Sequence, residues 1–376
     1  MKLPISPELL IALTGQSAAR LKRMLSALPH EQVTELSSLC QFFQDQELLT
    51  SYQVSHIVAG QGEGLVVGQY LVLNELGRGG FGMVYTARHR MMGRLAALKI
   101  FTPETDESET HVRFLREIQA TAQLDHPNLI KAYEAGELYG SIFLAMELVD
   151  GQNLQEKVIQ QGPMPLDVAL HCHIDAAVGL AYAHSLGMIH RDVKPGNIML
   201  GKDGRVRVLD LGLVKFMKGF TSMATSMDGS VRGTAAYMAP EQAISIRNAD
   251  HRSDIYSLGS SLYFVLTGQP MYPEKTIMQQ LLAHQKKAIP SLLTTLPDIP
   301  PYLDQLYQRM VAKEPKDRPQ SMQLVIDGLR AVQEGTTPPP LAPVPAPPST
   351  SAPKPDSKES TVPAWKRLFP FWREKQ

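Results

Sequence analysis

Cysteine is nearly absent: only Cys40 and Cys172 occur among 376 residues, in no CxxC or Cys/His ligand spacing. That excludes a disulfide framework and a cysteine-built zinc site, and it suits a reducing compartment. Net charge is missing as well, since 37 basic residues stand against 37 acidic ones. No overall field therefore draws the chain to nucleic acid, an anionic membrane or an acidic substrate. Long apolar runs are also lacking. No window approaches the roughly 18 to 20 apolar residues that a bilayer span requires; the best, residues 255–267, is broken by Ser, Gly and Tyr. The N-terminal MKLPISPELLIALTG has one Lys before its apolar stretch and carries Pro4, Pro7 and Glu8 where a secretion signal needs uninterrupted apolar residues, so no signal peptide is expected. The expectation is a cytoplasmic protein. What the chain does have is 43% apolar residues, enough for one large or two ordinary globular domains.

Three segments differ in chemistry. Residues 1–67 read as a helical extension: SAARLKRMLSAL, EQVTELSSLCQFFQDQELL and LTSYQVSHIVAG space their apolar residues by three and four, and GQGEGLVVG follows as a glycine-punctuated connector. No paired acid, base or metal set occurs there, so an adaptor or docking role without chemistry is expected. Residues 68–333 begin with strand-like alternation (YLVLNELG, GMVYTARH, RLAALKIF) and continue with long helical runs such as DVALHCHIDAAVGLAYAHSLG, which suggests an α+β body of two lobes. Residues 334–364 hold ten of the 28 prolines and read as a disordered, extended linker. Residues 365–376, AWKRLFPFWREKQ from its Trp onward, form a basic and aromatic tail; between Trp365 and Trp372 it suits a weak peripheral membrane or partner contact. No internal repeat is present.

The chemistry-bearing residues lie in the middle segment. Gly77-Arg78-Gly79-Gly80-Phe81-Gly82 sits between two strand-like stretches, where glycines let backbone amides approach phosphate oxygens and Val84 can cover an adenine ring. Alone, this GxGxxG is weak, but a strand follows it where a dinucleotide fold has a helix. Lys99 lies on the next strand, in AALKI, and RFLREIQATAQL forms an amphipathic helix whose Glu117 can orient that lysine. The strongest string is His190-Arg191-Asp192-Val193-Lys194-Pro195-Gly196-Asn197, followed by Asp210 in VLDLG. An aspartate to accept a hydroxyl proton, a lysine for developing phosphate charge, and an asparagine with a further aspartate for a metal make a phosphoryl-transfer set.

From about residue 70 to 330 the chain resembles the eukaryotic-like (Hanks-type) serine/threonine protein kinases, particularly the bacterial ones. The resemblance implies a two-lobed protein kinase-like fold, with a small β-rich N-lobe (68–146), a large helical C-lobe (150–333), and ATP in the cleft between them. It implies that Gly77, Arg78, Gly79, Gly80, Phe81, Gly82, Val84 and Ala97 cover the nucleotide, that Lys99 paired with Glu117 holds its phosphates, and that Met146, Glu147 and Val149 border the adenine. Asp192 would be the catalytic base, Lys194 the γ-phosphate contact, and Asn197 with Asp210 the ligands of Mg²⁺, for which Mn²⁺ could substitute. Gly233 to Glu241 match the substrate-docking segment and its APE motif, with Glu241 expected to pair with Arg318. Asp254 matches the helix aspartate that props up the catalytic loop. Two positions depart from the usual pattern, Leu211 in place of Phe and Tyr256 in place of Trp; each keeps an apolar or aromatic surface.

Lys194 together with Thr234 resembles the Ser/Thr-specific branch, so protein substrates bearing Ser or Thr, and no nucleic acid, are the expected partners. Small-molecule phosphotransferases fit less well because they lack the APE segment and this glycine loop. The loop 213–232 carries Thr221, Ser222, Thr225, Ser226 and Ser230, and phosphorylation there, by the enzyme itself, is the expected switch, with Arg191 as the phosphate partner. The alternative, a catalytically silent kinase-fold scaffold, would require loss of the lysine, base or metal ligands, and all are present. The N-terminal helices are expected to pack on the small lobe and bias the Glu117 helix.

Overall fold

The structure, a computed structural model, describes residues 4–79, 82–101, 121, 123–138, 140–211, 234–245, 249–338 and 340. Glu117, Gly80, Phe81, the loop 212–233 and the segments beyond residue 340 therefore lie outside the described residues, as does the side chain of Arg78.

Five short helices open the chain: α1 (Pro7–Thr14), α2 (Ala18–Ser26), α3 (His30–Thr34), α4 (Leu36–Asp45) and α5 (Ser51–Val58). Side-chain caps start three of them: Ser6, Ser17 and Thr50 each accept a backbone N–H of the first turn. Pro7 sits at the first turn of α1, where its missing N–H costs nothing. The single run expected over EQVTELSSLCQFFQDQELL is two helices, because Glu35 is extended (φ −95°, ψ 122°) and caps α4 rather than continuing α3. Buried residues Leu10, Leu13, Leu21, Leu39, Cys40, Phe43 and Ile57 mark the inner faces.

Those faces close on a six-stranded antiparallel sheet of order β1-β2-β3-β4-β6-β5. Its strands are β1 (Val66–Val67), β2 (Tyr70–Gly79), β3 (Gly82–His89), β4 (Leu95–Phe101), β5 (Ala132–Leu138) and β6 (Ser141–Met146). Successive strand side chains point to opposite faces, so each face has its own cluster. Tyr70, Val72, Ala87, Ala96, Leu98 and Ala145 share one core with the N-terminal helices. Ala97, Phe101, Leu144 and Met146 form another, with Val84 and Leu209 packed on it. The core is thus continuous across residue 67. Thr50 and Gln53 fasten the helical cap to β2: the Thr50 hydroxyl donates to the Leu73 carbonyl (2.5 Å) and the fully buried Gln53 amide to that of Val72 (2.8 Å). Both carbonyls lie where the β2–β3 register shifts between Val72 and Asn74, a bulge that frees backbone groups from the ladder.

Beyond β6 the chain crosses into a helical lobe carrying a small sheet of β7 (Gly151–Asn153), β8 (Ile198–Gly201) and β9 (Val206–Val208). Its centre is the helix His251–Thr267, buried from Ser253 through Leu266. Gly259 lets a neighbouring helix approach: a Cβ there would stand 2.8 Å from Val311 Cγ1 and 2.9 Å from Met310 Cβ. Around it pack the helices Leu166–Ser185, Pro301–Met310 and Met322–Glu334. Among the described residues no helix is long and apolar enough to cross a membrane.

Candidate active site

The described residues of the glycine motif pair across the ends of β2 and β3, with Gly77 opposite Val84, Arg78 opposite Met83 and Gly79 opposite Gly82. Gly82 is required sterically. Its φ is 139°, and a Cβ would lie 2.0 Å from the Ile100 carbonyl oxygen. On β4, paired with Val84, Lys99 is 2% exposed and places Nζ 2.7 Å from Asp210 Oδ1. A buried ammonium needs such an anion to remain charged. The pairing serves the carboxylate too: burial pushes Asp210 up, but Lys99, helped by Lys194 and His190, holds the group below its ordinary range.

Val84, Ala97, Met146, Leu148, Val149 and Leu209 gather in one apolar cluster. Of the residues expected to border the adenine, Glu147 has its N–H committed to the Lys131 carbonyl (2.9 Å), so only its backbone carbonyl remains to accept from a base. Its carboxylate is held by Arg207 Nε of β9 at 2.9 Å.

The loop 190–197 is ordered from below by a single carboxylate. Asp254, fully buried in the first turn of the helix His251–Thr267, accepts the N–H of His190 (2.9 Å), the N–H of Arg191 (2.8 Å) and Nε2–H of His184 (2.7 Å). Burial pushes Asp254 up, yet these donors, His184 foremost, hold it below the usual carboxylate range. The two backbone bonds keep Arg191 at φ 67°, a left-handed conformation costly for a residue with a side chain. Gln242 completes the clamp by donating to the Arg191 carbonyl at 2.9 Å. His190 bridges two segments: Nε2–H donates to the Leu209 carbonyl (2.7 Å), and Nδ1 accepts the Asp192 N–H (3.2 Å).

Around Asp192 the side chains converge. Its Oδ2 accepts from Lys194 Nζ at 2.8 Å and from Asn197 Nδ2 at 3.1 Å, while Lys194 Nζ also donates to Thr234 Oγ1 at 2.8 Å. Asn197 Nδ2 further donates to the Asp192 carbonyl at 2.8 Å, leaving its amide oxygen with no partner among the described residues. That oxygen and Asp210 Oδ2 are hard donors of the kind divalent cations take. No cluster of three acidic, His or Cys side chains able to hold an ion exists among the described residues. The donor set thus fits an ion that completes its shell with water and phosphate oxygens rather than an all-protein cage.

The structure therefore brings together Lys99, Asp192, Lys194, Asn197 and Asp210, with Val84, Ala97, Met146 and Val149 beside them. It places the expected pair as well, since Arg318 makes a two-pronged contact with Glu241 at 2.7 Å on each arm. Sequence reading missed His184, Gln242 and Arg207. The contacts that matter here reach 70, 51 and 60 positions along the chain, to Asp254, the Arg191 carbonyl and Glu147, whereas the local pattern at Arg207 announces only its pairing with Asp203.

Comparison with known proteins agrees with this geometry. The family model for the protein kinase domain matches residues 70–327. A probable serine/threonine-protein kinase PknB of Lactococcus lactis is 32% identical over 252 residues, 66% of this chain and 40% of that protein. The serine/threonine-protein kinase PknL of Mycobacterium tuberculosis is 34% identical over 255 residues, 68% of this chain and 63% of PknL. PknB of Mycolicibacterium smegmatis is 34% identical over 268 residues, 70% of this chain and 43% of its own length. The chain thus spans between 40% and 63% of the length of these relatives. With its lysine, loop and metal-type donors assembled as described and its match covering most of the sequence, the chain belongs to the protein kinase family, alongside bacterial serine/threonine kinases.

Proposed function

We propose that the protein transfers the γ-phosphate of ATP to Ser and Thr hydroxyls of protein substrates. The observation that carries this reading is Lys194 bonded at once to Asp192 and Thr234, because it puts a cation between the proton acceptor and the segment where a substrate hydroxyl would lie. Asp192 Oδ2 is occupied by Lys194 and Asn197, so Oδ1 is the atom to accept the substrate proton as its oxygen attacks phosphorus. Lys194 offsets the negative charge that develops, and Lys99 orients the phosphates from the opposite lobe. Asn197 and Asp210 would hold Mg²⁺, with Mn²⁺ as a substitute; when bound, the ion supplies charge neutralisation on the phosphates. The glycine motif, Ala97, Met146, the Glu147 carbonyl and Val149 would enclose the nucleotide.

The same reading takes residues 68–333 as the catalytic domain, residues 334–364 as a spacer and 365–376 as a weak contact segment, with a cytoplasmic location favoured by two free, buried cysteines. Glu117 would be the further partner of Lys99, and the loop 213–232 the site of autophosphorylation. The test is transfer of labelled γ-phosphate to the protein itself and to a generic basic protein. Incorporation on Ser or Thr that disappears in Asp192→Asn, with the modified residues mapped by mass spectrometry, is the expected result. A folded, ATP-binding wild type that transfers nothing would overturn the reading, and active enzyme with an unmodified loop would overturn autophosphorylation there.

A further inference from the structure

A cavity of about 260 Å³ opens between α5 and the cap-covered face of the sheet, away from the nucleotide cleft. Tyr52 and His56 of α5 line it together with Val72, Tyr85 and Ile100 of three adjacent strands, and Leu65 and the polar Gln61 come from the segment after α5. An engineered apolar cavity of about 150 Å³ accommodates benzene, and drug-sized pockets begin at about 300 Å³. A space between these suits a bicyclic ring. The walls are aromatic: the Tyr52 and His56 rings lie 4.1 Å apart, and the Tyr85 ring 6.2 Å from that of Tyr52. These rings touch one another and so form one continuous aromatic surface, against which a flat guest can lie by face and edge contacts.

Polar chemistry narrows the guest further. His56 Nδ1 lies 2.9 Å from the Tyr52 carbonyl oxygen and must donate its proton there. In the neutral ring, Nε2 is then an acceptor, and it has no partner among the described residues. Burial foremost, then the neighbouring Tyr85 hydroxyl to which it is hydrogen-bonded, raises the Tyr52 hydroxyl to about 12. The position of the cavity adds a consequence. Tyr85 and Ile100 are sequence neighbours of Val84 and Lys99, a cross-strand pair whose side chains face the other way.

We propose that this cavity binds a planar bicyclic aromatic ligand carrying an N–H donor, of the indole class, and that occupancy alters nucleotide affinity through β3 and β4. The second half rests on the kinase reading, in which Lys99 holds the phosphates; the first half does not. Titration calorimetry of the full chain with indole tests the site. Saturable one-to-one binding in the range of about 1 mM is expected for so small a ligand. Tyr52→Ala should weaken it at least about tenfold, through loss of a ring wall. With 1-methylindole, which lacks the donor, wild type should bind several-fold more weakly, and His56→Ala should no longer discriminate the two. Absence of saturable indole binding up to about 10 mM, or equal binding by folded Tyr52→Ala, would overturn the site. ATP affinity measured with and without saturating indole should differ at least twofold; an unchanged value would overturn the coupling. Failure of ATP to bind at all would count against the kinase reading and leave the calorimetry to judge the cavity.

Discussion

Replacing Arg318 with Met removes a guanidinium whose every N–H is used. Nε donates to the Ala312 carbonyl, Nη1 to Glu241 Oε1 and the Arg252 carbonyl, and Nη2 to Glu241 Oε2 and the Lys313 carbonyl, all between 2.7 and 3.0 Å. The residue is 3% exposed. Met fills much of the volume but restores none of these bonds. Glu241 would keep the Ser253 hydroxyl, at 2.6 Å, and a backbone N–H, and the Ala312, Arg252 and Lys313 carbonyls would each lose a donor. Breaking a buried pair from one side costs about 3–5 kcal/mol, because the stranded charge keeps its desolvation penalty. An exposed pair would lose less than about 1 kcal/mol. Urea denaturation of Arg318→Met against wild type separates the two cases. Adding Glu241→Gln should recover part of the loss, since the charge then vanishes although the carbonyls still lack the Arg318 donors; a double-mutant cycle would give a coupling above about 1 kcal/mol. Arg318→Lys should fall between, as an ammonium cannot span both carboxylate oxygens. A loss below about 1 kcal/mol for Arg318→Met, or additive single effects, would refute the argument.

Acid should act on two buried histidines before it reaches the carboxylates. Burial lowers His173 to about 4 and, with the Lys313 charge, His284 to about 3. Below about pH 6.5 the unfolded chain takes up protons that the folded one refuses, so stability falls as pH drops, by up to about 2.7 kcal/mol per pH unit while both resist. Denaturation at pH 6 and pH 5 reads the slope, and His173→Gln should halve it; a flat profile would contradict the burial argument. Gln53→Leu should cost about 1–3 kcal/mol by orphaning the Val72 carbonyl and expose the cap to limited proteolysis, whereas unchanged stability would mean the fastening to β2 is idle. Gly82→Ala should cost at least about 1–3 kcal/mol in backbone strain and displace β4 as well, read by denaturation and by weaker ATP binding; a variant indistinguishable from wild type would count against the contact with the Ile100 carbonyl.

The site was largely legible because its residues are dictated by chemistry and carried in short strings. His190 through Asn197 and the later Asp210 can be recognised without knowing any fold, and the structure brings them to one place. Glu241 with Arg318 and the propping role of Asp254 were legible in the same way, through the resemblance. The supporting contacts were not. His184 donates to Asp254 from the far end of another helix, and Arg207, whose local spacing points only to Asp203, reaches Glu147 from β9; neither long-range contact belongs to a motif. Helix α1 was hidden for a different reason. Pro4 and Pro7 read as interruptions of an apolar run, whereas Pro7 follows the Ser6 cap and begins a helix.

The N-terminal helices show most plainly where sequence reasoning stops. Spacing by three and four discloses an apolar face but not what that face will meet, and adjacency alone suggested the Glu117 helix, which lies outside the described residues. The described contacts run instead to the sheet, where Leu39, Phe43 and Ile57 share a core with Val72, Leu98 and Ala145. That surface of the strands is apolar in its own right, and without the cap it would face water as a patch of the kind that drives association. The family match begins at Tyr70, yet the hydrophobic core continues back to Ile5. A boundary drawn where the recognisable motifs begin therefore cuts through a packed interior, and deletion of residues 1–60 should lower stability before it says anything about regulation. Activity lost in such a truncation is informative only if the remaining chain is shown to be folded, which is why Gln53→Leu, a single buried amide, is the sharper probe of what the cap does.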